Sequence, residues 1–175
     1  MVVPAPCRPR RACRGFTMVE LIVVILLVGI LGAVGAARFS DKATFDSAGY
    51  ATRAASALRY AQKEAIAQNR PVTVLLDAAG ISLCFSAASP CPTPVIAPFS
   101  SATDSYCTSA KAYCLSRPSA VTYTSSLGVP SSMTFDAAGR PSSGGANTTA
   151  AVALTVTSGS SSTVVTVEPE TGYVH

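Results

Sequence analysis

The stretch that most constrains this chain runs from Phe16 to Ala37, where Glu20 is the only charged residue. As a helix, that run is long enough to cross the apolar core of a bilayer. A carboxylate in such a run is costly, by about 2.5–3.5 kcal/mol at mid-membrane and less near the interface. The next charge is Arg38, about five helical turns on, so Glu20 has no partner on its own helix. Its counterpart is expected to be interfacial water or another molecule.

Ahead of the run, residues 1–15 are Arg-rich and free of acids. Positive charge on this side predicts a cytoplasmic N-terminus and an exported remainder. Three readings fit. An ordinary signal peptide would have an apolar core of about 7–15 residues and then a small-residue cleavage site. An uncut signal anchor would keep the whole stretch. A leader cut ahead of the apolar run would leave a protein that begins with its own membrane helix. Arg8, Arg10, Arg11 and Arg14 account for four of the thirteen basic residues, and the nine that remain balance nine acidic ones. Beyond the leader there is no basic excess of the kind that attracts nucleic acid.

Gly15-Phe16-Thr17-Met18-Val19-Glu20-Leu21 resembles the class III signal of type IV pilins and type II secretion pseudopilins. The resemblance implies cleavage between Gly15 and Phe16 by a prepilin peptidase, N-methylation of Phe16, and an assembly role for Glu20. In a filament, Glu20 would pair with the Phe16 ammonium of a neighbouring subunit. The partners implied are other pilin subunits, the peptidase, the inner membrane and its assembly platform. The chain would be a single-pass inner-membrane protein with its C-terminal domain in the periplasm, and then part of a pilus or pseudopilus.

From Asp41 to Asn69 the helix is expected to continue as one rod of about 80 Å from Phe16. No Pro lies between Arg10 and Arg70, and Phe45, Ala48, Thr52, Ala55, Leu58, Ala61 and Ala65 recur at helical spacing. Pro71 ends it near Asn69. Ala57, Ala61, Ala65 and Ala67 would let the helix approach a sheet closely, with Leu58, Tyr60 and Ile66 supplying buried area. Arg59, Lys63 and Arg70 read as a solvated face rather than a binding patch. The stretch from Ala57 to Val74, with Arg38 to Tyr50, is similar to the GspH/FimT group of minor pilins, and most similar to MshC-like pilins of mannose-sensitive haemagglutinin (MSHA) type pilus systems. That implies the type IV pilin fold: α+β, a long N-terminal helix packed on an antiparallel sheet domain.

Beyond Arg70 the period changes to that of strands. Val72–Leu76 and Ile81–Phe85 flank Asp77-Ala78-Ala79-Gly80, a hairpin in which Gly80 is expected to take the left-handed position. The tetrapeptide recurs as Asp136-Ala137-Ala138-Gly139 after Ser132–Phe135. Ala151–Thr157 and Thr163–Val167 predict a second hairpin, and Thr171–Val174 a short closing strand. The expected organisation is a leader (1–15), a transmembrane half-helix (16–39), a periplasmic half (40–70) and a β domain (71–175). The Pro- and Ser-rich residues 87–119 form a lobe on that domain. After the leader the Cys residues are Cys84, Cys91, Cys107 and Cys114. An exported domain favours disulfides, and of three connectivities the one expected joins Cys84 to Cys91 and Cys107 to Cys114. Metal-binding pairs sit closer together, so no metal site is expected.

The only His is His175, and no Ser-His-Asp or Cys-His set can be assembled. No phosphate-binding Gly loop opens a helix. Neither catalysis nor a cofactor is expected. The function implied is a minor pilin of an MSHA-type pilus, with an H-type pseudopilin of a type II secretion system as the alternative. A DNA-capturing minor pilin of the FimT kind would carry a C-terminal Gly-Arg-x-Arg stretch. Here the comparable place reads Gly172-Tyr173-Val174-His175, which lacks the arginines that phosphate binding needs.

Overall fold

A computed structural model describes residues 16–39, 42–88, 91–97 and 112–175, with side chains of the first stretch described to residue 33. The chain divides into two units, residues 1–41 and 42–175. In the first, α1 runs from Met18 to Phe39. In the second, α2 runs from Lys42 to Gln68. The expected continuity of the two helices falls on residues 40 and 41, outside the described residues.

Alanine dominates the buried face of α2, which comprises Ser47, Tyr50, Ala51, Ala54, Ala55, Ala57, Leu58, Ala61 and Ala65. The lower half follows the expected stripe. The upper half does not, because Phe45, Ala48 and Thr52 face solvent and Phe45 is 79% exposed. Ser47 and Tyr50 occupy the inward positions instead, and hydropathy hid them: Ser47 bonds Ser161 Oγ at 3.2 Å, and Tyr50 stacks on Tyr123. Ile66 and Ala67 are also exposed, so Leu58 and the small residues carry the lower contact.

The helix ends one residue before Asn69, which adopts φ 49°. Arg70 N–H donates to Ala65 O (3.1 Å) and Asn69 N–H to Ile66 O (3.2 Å). This is a Schellman cap with Asn in the left-handed position, and Pro71 prevents any continuation.

Two sheets pack on α2. The larger has the order β3-β2-β1-β5-β6-β7. Its strands are β1 (Val72–Asp77), β2 (Gly80–Cys84), β3 (Cys114–Ser116), β5 (Ser131–Phe135), β6 (Pro141–Ser143) and β7 (Ala146–Asn147). The smaller has the order β4-β8-β9, from β4 (Thr122–Ser125), β8 (Val152–Ser158) and β9 (Ser161–Val167). All pairings are antiparallel. Val72, Val74, Leu76, Ile81, Leu83, Met133 and Phe135 of the larger sheet meet Val152, Leu154, Val156, Val165 and Val167 of the smaller and the alanines of α2 in one core. Tyr123 fastens the sheets together, its hydroxyl lying against the carbonyls of Asp77 and Gly80.

Both expected hairpins form. The two Asp-Ala-Ala-Gly turns differ, however. In the first, Asp77 pairs with Gly80 across a two-residue loop, and Gly80 is not left-handed. In the second, Gly139 is left-handed at φ 80°, and Asp136 Oδ1 accepts the Ala138 and Arg140 N–H groups. A two-residue link lets Gly80 join the ladder as a strand residue, whereas the longer second link needs a left-handed residue to close. The expected closing strand is a bridge between Val174 and Val167.

No strand is expected within the Pro- and Ser-rich lobe at 87–119. Its end instead supplies β3, beside β2, and two further bridges, Cys84 with Pro94 and Ile96 with Ala112, draw its start onto the same edge. Val95, fully buried, donates to Leu83 O and accepts from Tyr113 N–H.

Candidate functional site

Two regions hold the residues singled out in the sequence. The first is the start of α1. Thr17 precedes the helix, and its Oγ1 accepts the Glu20 N–H at 3.2 Å while its carbonyl accepts from Leu21. Thr17 is therefore the N-cap and Glu20 the third helical residue. That is the Thr-x-x-Glu spacing of a capping box, a signal present in the sequence and not used there. A carboxylate in this first turn faces the positive end of the helix dipole, worth about 0.3–1 kcal/mol. The dipole gives Glu20 a local compensation that no charged side chain on its own helix supplies.

Phe16 is 80% exposed, and every large aliphatic side chain from Met18 to Leu31 is about half exposed or more. A helix apolar on all sides has no water-facing side, and such helices are covered in a larger assembly or a membrane. Among the described residues no helix is long and apolar enough to cross a membrane. The described side chains of α1 end at residue 33, whereas its backbone helix is 22 residues long, about 33 Å. Gly15 and the rest of the leader lie outside the described residues.

The second region is the outer face of the larger sheet. Paired residues of antiparallel strands project to the same side. Thr73 pairs with Cys84 and with Thr134, Leu75 with Ser82 and Ser132, and Ser82 with Cys114. Cys84 and Cys114 thus stand on one face, opposite the core face that meets α2. Cys84 is bonded to Cys91, as expected. Cys114 is also disulfide-bonded, and Cys107, its expected partner, lies outside the described residues. Thr73 and Leu75 are buried on this face. Beside them is a shallow cavity of about 210 Å³, lined by Leu75, Asp77, Ala87, Pro130 and Ser132 among others.

Charges expected to be merely solvated are engaged. Arg59 donates from Nε and Nη2 to Val174 O (3.2 and 3.0 Å), holding the closing strand to α2. The Arg70 guanidinium lies 3.7 Å over the Phe85 ring. Glu168 Oε1 is 3.0 Å from His175 Nε2. Gln62, which the sequence reading passed over, donates to Gly139 O and Thr171 O (3.0 and 2.8 Å), joining two loops. On the same helix Tyr60 stacks on Tyr113 and donates to Ile96 O. Burial raises both phenols above their ordinary value, with Glu64 adding to Tyr60 and Tyr60 to Tyr113, while Arg53 pulls Tyr113 down. Among the described residues no His, Cys, Asp and Glu side chains converge as a metal site.

The model of the family described as type II transport protein GspH matches residues 50–171, more than two thirds of the chain. The chain belongs to the GspH family. The prokaryotic N-terminal methylation motif matches residues 10–36, which include Gly15, Phe16 and Glu20. Among solved structures, the minor pseudopilin EpsH from the type 2 secretion system of Vibrio cholerae is similar in fold. It has 12% identity and a TM-score of 0.50, over 74% of this chain and 94% of that one. The type IV minor pilin FimU of Pseudomonas aeruginosa PAO1 has 16% identity and a TM-score of 0.48, over 74% and 86%. No curated protein sequence matches. With the methylation motif, GspH membership makes the chain a minor pilin or pseudopilin, a structural subunit and not an enzyme. Its fold is the pilin-like α+β arrangement of a helix on antiparallel sheets.

Proposed function

We propose that this GspH-family subunit serves a type IV pilus of MSHA type. A prepilin peptidase cuts between Gly15 and Phe16, Phe16 is N-methylated, and α1 enters the inner membrane with the leader side cytoplasmic and residues 42–175 periplasmic. The assembly platform then moves the subunit into a filament of pilin subunits, where Glu20 pairs with the Phe16 ammonium of a neighbour. Cys107 closes on Cys114, so that two disulfides hold the lobe to the outer face of the larger sheet.

The observation that carries this reading is α1 itself, apolar on every side and exposed along its described length, with one carboxylate in its first turn. Such a helix requires a bilayer or other apolar helices around it. The MSHA assignment rests on the resemblance at Arg38–Tyr50 and Ala57–Val74. The reading as an H-type secretion pseudopilin is favoured by the GspH match over residues 50–171.

One substitution tests both. Glu20→Ala is expected to leave cleavage after Gly15 intact and to deplete the subunit from sheared pilus fractions. Normal incorporation of the variant would refute the pairing. Loss of type II secretion with no subunit in wild-type pili would favour the pseudopilin.

A further inference from the structure

Tyr60 and Tyr113 come from distant parts of the chain, α2 and the segment just before β3, yet their rings lie 4.8 Å apart between centroids with planes 15° from parallel. Both are partly exposed. The Tyr60 ring is held in place through its hydroxyl, which donates to Ile96 O at 3.2 Å. The chain contains no Trp to intercept an oxidising radical. A second stacked pair, Tyr50 and Tyr123, is wider at 6.0 Å and is buried, at 2% and 7% exposure.

We propose that Tyr60 and Tyr113 form an oxidative modification site that couples into an intramolecular dityrosine, fastening the lobe to α2. The oxidant is a peroxide, acting through a haem peroxidase. Each phenol gives up one electron and its hydroxyl proton. The two phenoxyl radicals join through a carbon ortho to each oxygen, making one carbon–carbon bond. The hydrogens on those two carbons move to the oxygens as the rings regain aromaticity. The chain loses two hydrogens in all, and hydrogen peroxide takes up two electrons and two protons to become two waters. The covalent link lies beside the disulfide-held segment: Val95 accepts from Tyr113 N–H, and Ile96 accepts from Tyr60. Unlike the disulfides, it survives thiol reductants.

The test uses the full chain in detergent micelles at low concentration, treated with horseradish peroxidase and hydrogen peroxide. Coupled peptides are then mapped by mass spectrometry. The expected product is a monomeric chain lighter by two hydrogens, with peptides containing Tyr60 and Tyr113 joined. That product is absent from Tyr113→Phe and from Tyr60→Phe, either of which serves if the other fails to fold. After thiol reduction and protease digestion, the Tyr60 and Tyr113 peptides remain joined. Coupling only between chains, only through other tyrosines such as the exposed Tyr173, undiminished in both Phe variants, or not at all, would overturn the proposal.

Discussion

Gly172→Ala isolates the contact that closes the fold. Gly172 has φ 65°, and a Cβ there would sit 2.1 Å from Gly139 O and 2.6 Å from Gln62 Nε2. The left-handed backbone alone costs an L-residue about 1 kcal/mol. Overpacking against a backbone carbonyl that belongs to another turn adds about 1–3 kcal/mol. If Gln62 swings away, its two hydrogen bonds go with it, at about 1 kcal/mol each. The total is about 4 kcal/mol. At about 3 °C per kcal/mol for a domain of this size, Tm should fall by about 12 °C. Gly128→Ala is the control, since Gly128 has φ 88° with nothing within 4 Å of an added Cβ. It carries backbone strain without the clash and should lose about 3 °C. All six Tyr follow residue 42 and the chain has no Trp, so the tyrosine band of the near-UV circular dichroism reports on this unit alone. Equal losses for the two variants would refute the idea that the Gln62–Gly139–Gly172 junction is tightly packed.

Removing the Cys84–Cys91 bridge by Cys84→Ala with Cys91→Ala reopens a short loop, its ends 7 residues apart, and should cost about 2.5 kcal/mol on the chain-entropy account. An unchanged urea midpoint would contradict it. Asp136 provides a pH signature. Burial would raise its carboxyl, but hydrogen bonds from Arg140 backbone and side chain and from Ala138, with the Arg140 charge, outweigh that and hold it below its usual value. A lowered carboxylate adds stability above its unfolded pKa and loses it as pH falls through the folded one. Stability should therefore decline below about pH 4, by well under 1 kcal/mol because the pair is solvent-screened. Asp136→Asn should flatten that part of the pH profile, and an unaltered profile would remove Asp136 from the account.

The fold was legible where chemistry is local. Asn69-Arg70-Pro71 announced the end of α2, and alternation over Ala151–Val167 announced β8 and β9. The α2 register was misread because Phe45 drew the stripe to itself. Burial there goes instead to Ser47, whose hydroxyl meets Ser161 of β9, and Tyr50, whose ring stacks on Tyr123 of β4, contacts that exist only once those strands are in place. β3 escaped notice because three residues in a Pro- and Ser-rich stretch carry no period, and its partner β2 lies some thirty residues away. β4 (Thr122–Ser125) was missed as well, since four residues with a single buried tyrosine give almost no alternation to read. At the candidate site, the methylation motif over residues 10–36 was legible from one contiguous stretch and Cys84–Cys91 from spacing. Arg59, Gln62 and Gly172 were not, because each meets backbone carbonyls far off in sequence: Val174 O at Arg59, Gly139 O and Thr171 O at Gln62, and Gly139 O beside Gly172.

The central claim is that Phe16 becomes the first residue of a methylated filament subunit. It is tested most directly by the intact mass of the protein recovered from a host with its own prepilin peptidase. The account predicts a chain that starts at Phe16 and carries one added methyl. A chain that still starts at Met1, or one that has lost everything through Ala37, would contradict it.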